Sequence, residues 1–267
     1  MGIFYVSPTR SAWKKAIKKG YVTINGQVAT TGRYVSGGEH IQITLPAISG
    51  AKKKLIFPLT VLYEDVHLAA IHKPPGIRVS GNRFMTITNA LPQNLSHSDQ
   101  PDAAVPQPVH RLDYATTGVL LVGKTQSSIS ELNTRFENKQ IDKSYIAITI
   151  GTMKPEGVIT TPVDGKPART QYTVIDTVPS GRFKQLNLVE VRPETGRRHQ
   201  IRKHFSEQGN PILGDKDYGQ EPLILYGKGM YLHARALRFV HPKTGNALHI
   251  QAPVPKSFTK IFQRPVW

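Results

Sequence analysis

Short runs of apolar and β-branched residues recur along this chain, and they constrain its fold more than any other feature. Each run is about as long as a strand, and it either alternates with polar residues or stays apolar throughout. The runs lie at 67–73, 118–124, 144–151, 171–178, 185–192, 232–240 and 247–253. Two amphipathic segments, 127–139 and 197–209, predict helices. Because helices are few and interspersed, the pattern predicts an α+β protein with a mixed sheet rather than a strict βαβ array.

The first fifth of the chain carries a disproportionate positive charge. Residues 1–54 contain nine Lys or Arg residues and a single acid, Glu39. The spacing of apolar residues predicts a helix over 9–19 that presents lysines on its remaining surface. These residues are Lys14, Lys15, Lys18 and Lys19. We expect them to bind RNA phosphates, although the same lysines would also keep a protein soluble.

The chain divides by composition into two domains. Asn25–Gly26 predicts a hairpin turn between two short β runs, so residues 1–47 form a small basic unit of helix and hairpin. Residues 48–60 contain Pro, Gly, Ser and a lysine triplet, which is typical of a linker. The larger domain then occupies 61–267. Within it, the polar and proline-rich stretch 78–108 is expected to be partly a loop.

Charge and cysteine content narrow the class of protein. The net charge of +17 favours a polyanionic partner, although a generally basic surface without a function would give the same total. Cysteine is absent, which excludes disulfide scaffolds, thiolate zinc sites and cysteine nucleophiles. His199 and His204 are five residues apart and do not match helical zinc ligands, so we expect no metal site.

Targeting signals are not evident in the sequence. The longest apolar runs are far shorter than a membrane span, and the N-terminus lacks the pattern of a signal peptide. We therefore expect a soluble cytoplasmic protein with no membrane partner.

The segment 108–124, PVHRLDYATTGVLLVGK, places titratable groups just ahead of the most apolar strand. His110, Arg111 and Asp113 would then lie in a loop at one end of a sheet, where catalytic groups often lie. The spacing alone also fits a structural turn, in which Asp113 accepts backbone N–H groups and Arg111 is a surface charge.

The segment 192–205, RPETGRRHQIRKHF, concentrates cations at the start of a predicted helix. These cations are Arg197, Arg198, Arg202 and Lys203. A solvated basic helix would explain them. Because Ile201 is spaced to face a core, Arg198 and Arg202 also suit a buried carboxylate partner or an RNA phosphate. Tyr145, in the run DKSYIAI, is either an ordinary strand aromatic or a residue that stacks on a base.

These motifs together resemble the RluA family of RNA pseudouridine synthases. The resemblance covers residues 61–262 in the family's order. It rests on HKPPG at 72–76, HRLD at 110–113, KSYIA at 143–147, DGKPA at 164–168, TGRRHQIRKH at 195–204, GNPILGDKDYG at 209–219 and LHARALRFVHPKTG at 232–245. Residues 10–45 resemble the alpha-L RNA-binding motif. The resemblance implies a mixed, mostly antiparallel sheet with a central RNA cleft, preceded by a small RNA-binding unit.

The resemblance also implies a chemistry. Uridine becomes pseudouridine when the base leaves the ribose, rotates and rejoins through carbon 5, so no cofactor is expected. The family pattern assigns the reacting carboxylate to Asp113, the cation that keeps it ionised to Arg202, and the aromatic that stacks on uracil to Tyr145. Ile201 would close the apolar side of the pocket. Because a base inside a helix is out of reach, the target must be flipped out of the RNA.

The remaining positions would contact the substrate. Arg111 either fills the place of the flipped base or contacts a phosphate, and His110, Arg197 and Arg198 are expected to bind the RNA. Two other functions stay open on the residues alone: an RNA-binding assembly factor without catalysis, and a metal-dependent nuclease. Asp113 argues against the first, and the shortage of acids in the motifs argues against the second. The RNA would be ribosomal RNA or tRNA, and the protein is expected to be a monomer.

Overall fold

The structure is a computed structural model that describes residues 10–44 and 55–262. The chain divides into two compact units, Met1–Lys53 and Lys54–Trp267. Predictions that concern residues 1–9, 45–54 and 263–267 lie outside the described residues. No helix in the described part of the chain is long and apolar enough to cross a membrane.

In the smaller unit, the described residues 10–44 form one helix and a three-stranded antiparallel sheet with the order β2-β1-β3. Its elements are α1 (Arg10–Lys18), β1 (Val22–Ile24), β2 (Gln27–Val28) and β3 (Ile41–Ile43). Asn25 and Gly26 both have positive φ, as a tight hairpin turn requires. Val22 and Ile24 form the core with Trp13 and neighbouring helix residues. Lys14, Lys15 and Lys18 of α1 and Lys19 just after it are exposed, and we call these four residues the α1 lysines.

The described residues of the larger unit, 55–262, form ten strands and four α-helices. Its strands are β4 (Thr60–Glu64), β5 (Leu68–Lys73), β6 (Ala103–Pro108), β7 (Thr117–Thr125), β8 (Asp142–Ile150), β9 (Glu156–Ile159), β10 (Thr170–Ser180), β11 (Lys184–Pro193), β12 (Leu232–Val240) and β13 (Ala247–Gln251). Its helices are α2 (Ile87–Ala90), α3 (Gln126–Glu137), α4 (Gln200–Glu207) and α5 (Lys256–Phe262).

The ten strands form one mixed sheet with the order β4-β5-β7-β12-β8-β11-β10-β9, while β6 pairs with β7 and β13 with β12. The pairing of β7 with β12 is parallel, and the other pairings are antiparallel. The α+β class and the mostly antiparallel sheet predicted from the sequence are confirmed.

The central parallel contact is short. It joins Thr117 to His233 and Gly118 to Ala234, after which β7 continues against β6 and β12 continues against β13. Gly118 has φ +116°, and a Cβ atom at this position would lie 2.1 Å from the carbonyl oxygen of Ala234. Only glycine therefore lets the two backbones approach this closely.

Helices cover the sheet through the apolar faces that their sequences predict. Thr125 caps α3 by accepting a hydrogen bond from the Ser128 amide, and Leu132 packs into the core beneath β7. In α4, Ile201 and Phe205 pack against β8 and β11, as their spacing predicts. Because Ile201 and Phe205 are buried, they hold α4 in place beside the loop that precedes β7.

Several boundaries differ from the sequence-based expectation. The helix predicted from residue 197 begins at Gln200, because His199 has φ +56° and cannot continue a right-handed helix backwards. The stretch 78–108 contains α2, a 3₁₀ turn at Leu91–Gln93 and β6. Residues 55–59, assigned to the linker, are attached to the larger unit: Asn94 accepts from the Leu59 amide and donates to the Phe57 carbonyl.

The β7–β12 contact predicts that Gly118→Ala destabilises the larger unit. The added methyl meets backbone and not a mobile side chain, so we expect a loss of about 2–4 kcal/mol in unfolding free energy, measured by urea denaturation. Gly165→Ala is the control, because Gly165 also has a positive φ but nothing lies within 4 Å of its Cβ position. Equal losses in the two variants would contradict the close-contact explanation.

Candidate active site

A cleft of about 570 Å³ opens beside the β7–β12 contact. We call it the site cleft; it lies between the loop 109–116, which precedes β7, and the segment 193–202, which leads from β11 into α4. The candidate site residues predicted for the larger unit all line it. They are His110, Arg111, Asp113, Tyr145, Arg197, Arg198, Ile201 and Arg202. The fold thus brings together residues that are up to 92 positions apart in the chain, the span from His110 to Arg202.

The loop that carries Asp113 is attached to the sheet through His110. The Nε2 atom of His110 accepts a hydrogen bond from the Leu121 amide at 2.9 Å, and its ring stacks on Phe136. Burial, and to a smaller extent the charge of Lys143, lower the pKa of His110 to about 3. His110 is therefore a neutral acceptor at pH 7, and its ring is engaged by the protein although it lines the cleft.

Lys73 holds the same loop from beneath, and the sequence analysis missed it. Its side chain is fully buried, and Nζ donates to the carbonyl oxygens of Pro74, Tyr114 and Thr116 at 2.9, 3.2 and 2.9 Å. Burial lowers the pKa of Lys73 to about 8, against the opposing effect of the Asp113 charge. The HKPPG motif contains Lys73 and was the available signal for a role at the site. The sequence pattern of β5 did not indicate, however, that the side chain of its last residue points inward.

Arg202 is the central cation of the site. Its Nε and Nη2 atoms donate to the two carboxylate oxygens of buried Asp215, each at 2.7 Å, and Nη2 also lies 2.6 Å from Asp217. Burial opposes the charged form, but the hydrogen bonds and charge of Asp215, then the hydrogen bond to Asp217 and the charge of Asp113, raise the pKa of Arg202 above its ordinary value. The guanidinium is permanently charged.

The ion pair between Arg202 and Asp113 that their assigned roles imply is present, but it is not the principal pair of Arg202 and it is not fully buried. Nη1 of Arg202 lies 3.5 Å from Oδ2 of Asp113, a longer contact than the two bonds to Asp215. Asp113 is 17% exposed to the cleft, whereas the Asp215 side chain is completely buried. Asp215 therefore neutralises Arg202 inside the protein, and Nη1 remains directed at a carboxylate that solvent and ligands can reach. Asp215 lies in the motif GNPILGDKDYG at 209–219, but no rule of sequence spacing predicts that it pairs with Arg202.

Tyr145 and Ile201 form the apolar side of the cleft. Tyr145 is half-buried and packs against the clusters that contain Ile71 and Ile201. Burial, and secondly the negative charge of Asp113, raise the pKa of Tyr145 well above its ordinary value. Its phenol consequently stays protonated at any physiological pH and lies within the field of the carboxylate.

Exposed cations surround the opening. Arg111, Arg197 and Arg198 are exposed, and Arg197 donates to the Pro167 carbonyl at 3.1 Å. Lys139 and Lys143 also line the cleft and were not among the predicted site residues. Burial and the charge of Lys139 lower the pKa of Lys143, an effect that Asp142 opposes. Cations held close together in this way favour a polyanionic ligand.

His199 is a further member that the sequence analysis did not assign to the site. Its Nε2 atom lies 3.6 Å from Oδ1 of Asp113, and its Nδ1 atom lies 2.9 Å from the hydroxyl of Tyr218. Its place inside the TGRRHQIRKH motif was the available signal. Among the described residues, no three His, Asp or Glu side chains are grouped so that they could hold a metal ion.

The site is thus a basic cleft in which one partly exposed aspartate faces a protonated tyrosine and a permanent cation. This combination suits acid–base or nucleophilic chemistry on a nucleic acid. Residues 67–207 match the family model for RNA pseudouridylate synthases.

Curated relatives and a solved structure extend the match to most of the chain. The ribosomal large subunit pseudouridine synthase D of Nitrosomonas europaea is 32% identical, over 96% of this chain and 80% of the relative. That of Vibrio parahaemolyticus is 36% identical, over 92% of this chain and 83% of the relative. The structure of human RNA pseudouridylate synthase domain containing 4 has a TM-score of 0.63 at 27% identity, over 76% of this chain and 92% of that one. The chain belongs to the RNA pseudouridine synthases, in the RluA family.

Arg198 and Arg202, which both lie in the 193–202 segment, should respond differently to substitution. Arg202→Ala leaves the Asp215 charge buried without its partner, so we expect a loss of about 3–5 kcal/mol in unfolding free energy. Arg198→Ala removes an exposed side chain and should change stability by less than about 0.5 kcal/mol. Urea denaturation of the two purified variants measures both values. Indistinguishable midpoints would mean that the Arg202–Asp215 pair does not anchor this part of the fold.

Proposed function

We propose that this protein isomerises uridines of large-subunit ribosomal RNA to pseudouridine in the site cleft, with Asp113 as the reacting carboxylate. The observation that carries the proposal is the position of Asp113, which is partly exposed to the cleft, 3.5 Å from Arg202, and close enough to Tyr145 to raise the pKa of that phenol. A structural carboxylate would instead be enclosed by its partners, as Asp215 is.

The reaction needs an ionised carboxylate at the sugar or at the base. Arg202 supports this by directing the positive Nη1 at the Asp113 carboxylate, while its other nitrogens are occupied by Asp215 and Asp217. During the isomerisation the bond from ribose carbon 1′ to base nitrogen 1 breaks, and a bond from carbon 1′ to carbon 5 forms. Carbon 5 then loses its proton, and nitrogen 1 ends with a proton, so atoms and electrons balance without a co-reactant.

The other cleft residues would bind the flipped base and its flanking phosphates. Tyr145 offers a ring on which uracil can stack, and Ile201 closes the apolar side. Arg111 lies exposed beside Asp113, where it can contact a phosphate or take the place of the flipped base in the RNA stack. Arg197 and Arg198 stand at the opening, where the phosphates of a bound RNA would pass.

The names of the curated relatives support ribosomal RNA as the substrate in preference to tRNA. Both are named as enzymes of the ribosomal large subunit. Mapping pseudouridines in ribosomal RNA and tRNA from cells with and without the gene tests this assignment. We also propose that the enzyme acts in the cytoplasm as a monomer, which light scattering of the purified protein checks.

Asp113→Asn should abolish turnover and leave RNA binding and stability nearly unchanged. The change keeps the size of the side chain but removes the charge that the reaction requires. The assay is the release of tritium from carbon 5 of uridine-labelled ribosomal RNA transcripts. Asp99→Asn, at an exposed aspartate remote from the cleft, is the matched control and should keep wild-type activity. Appreciable tritium release by pure Asp113→Asn would refute the assignment of this carboxylate.

We further propose that residues 1–47 form a separate RNA-binding unit. The exposed α1 lysines and the scarcity of acids in this part of the chain support an electrostatic role. Changing Lys14, Lys15, Lys18 and Lys19 to Gln should reduce the slope of log affinity against log salt by about two to three units if three or four of them contact phosphates. The maximal rate at saturating RNA should stay nearly constant.

The control for this experiment removes the same number of charges elsewhere. Lys154, Lys184, Lys228 and Lys260 are exposed and do not line the site cleft. Their change to Gln should alter the salt slope much less. An unchanged slope in the α1 variant would show that the helix faces solvent in the complex.

A further inference from the structure

His199 occupies a strained backbone position at the edge of the site cleft. Its φ of +56° lies in the left-handed region, which is uncommon for residues other than glycine. Such a conformation is costly and persists only where surrounding contacts hold it. It places the imidazole between Tyr218 on one side and Asp113 on the other.

Tyr218 is itself held rigidly. Its amide donates to Oδ1 of Asp215 at 3.2 Å, its carbonyl accepts from the Ser206 hydroxyl at 2.7 Å, and its ring lies 4.9 Å from the guanidinium carbon of Arg202. The phenol therefore reaches His199 from a fixed direction. With the hydroxyl as donor, Nδ1 of His199 is the acceptor and the ring proton resides on Nε2.

The Nε2 atom faces Oδ1 of Asp113 at 3.6 Å, whereas Arg202 faces Oδ2 at 3.5 Å. Both carboxylate oxygens thus have a donor directed at them from α4 or its start. Both distances exceed that of a good hydrogen bond, and catalytic contacts of this kind often tighten only when substrate fills the site. Burial lowers the pKa of His199, with Arg202 and Arg198 acting in the same direction and Asp113 and Asp217 against it, which agrees with a neutral ring.

We propose that His199 is a positioning residue that orients the Asp113 carboxylate, with its tautomer set by Tyr218. The inference rests on the proposed function, since it concerns the group that reacts there. Two donors on two oxygens restrict rotation of the carboxylate about its χ2 axis. Restricting a reacting group to its productive orientation acts on kcat more than on KM.

If His199 had only a local role in the backbone, replacing its side chain would not be expected to lower kcat. If the residue only supplies the left-handed turn before α4, then Asn should replace it well, because Asn tolerates positive φ. Asn can also occupy the place of Nδ1 beside Tyr218, but it does not reach Asp113. Gln extends its amide nitrogen to the place of Nε2, although it suits the backbone less well.

Kinetics of the two variants separate these roles. We expect His199→Asn to lose about 10- to 100-fold in kcat, by analogy with the loss when a group that orients a metal ligand is removed, with KM changed little and thermal stability retained. His199→Gln should keep more of kcat than His199→Asn despite lower stability. Wild-type kcat in His199→Asn, or a larger loss in His199→Gln than in His199→Asn, would overturn the proposal.

Tyr218→Phe tests the link without altering the backbone at residue 199. It keeps the ring beside Arg202 but removes the hydroxyl, so kcat should fall by less than in His199→Asn. The double variant should fall no further than His199→Asn alone, because both changes affect one network. Losses that multiply in the double variant would mean that Tyr218 does not act through His199.

A spectroscopic measurement distinguishes failure of this inference from failure of the proposed function. In wild-type protein labelled with ¹⁵N-histidine, the His199 imidazole should carry its proton on Nε2, and Tyr218→Phe should mix the two tautomers. A proton on Nδ1 in the wild type would overturn the inference whatever the activity. If the wild type shows the expected tautomer but releases no tritium from any RNA, the proposed function fails instead.

Discussion

The paired hydrogen bonds of Arg202 to Asp215 are the interaction on which the arrangement of the site depends. A charge removed from water requires a partner, and Asp215 is the partner of the Arg202 guanidinium through two hydrogen bonds of 2.7 Å. The pair ties α4 to the segment that follows it and fixes the direction of the remaining nitrogen, Nη1. Because that direction is fixed, Asp113 has a counter-charge that needs no reorganisation when substrate arrives.

The loop of Asp113 is held just as firmly, but through its backbone. Buried Lys73 donates hydrogen bonds to three carbonyl oxygens, and neutral His110 accepts a hydrogen bond from a backbone amide of β7. The short parallel contact at Gly118 then brings this loop next to β12. The carboxylate therefore projects from a rigid frame into the cleft, where solvent and ligands can reach it.

Cations serve two different purposes in this protein. Arg202 and Lys73 are buried, and each is neutralised or bonded by specific protein groups. The α1 lysines and the arginines at the cleft opening are exposed, so they add to the positive field of the surface, which favours a polyanionic ligand. Total charge suggested a nucleic-acid partner, yet it did not distinguish these two groups, because burial depends on the tertiary fold.

Local patterns in the chain were sufficient to predict most strands, the amphipathic helices α3 and α4, and the motif residues that resemblance connected to a site. Alternation and helical spacing depend only on neighbouring residues, so they assign Ile201 and Phe205 to a buried face from the sequence alone. The sequence analysis did not predict α2, β4, β6, β9 or α5, which are short and are stabilised by neighbouring strands and loops. Which charges meet, however, depends on tertiary packing. Asp215 and not Asp113 is the main partner of Arg202, and Lys73 points inward at a strand end. These contacts join residues from separate elements, and no local pattern contains them, since the free energy of a charge depends on what the fold places around it.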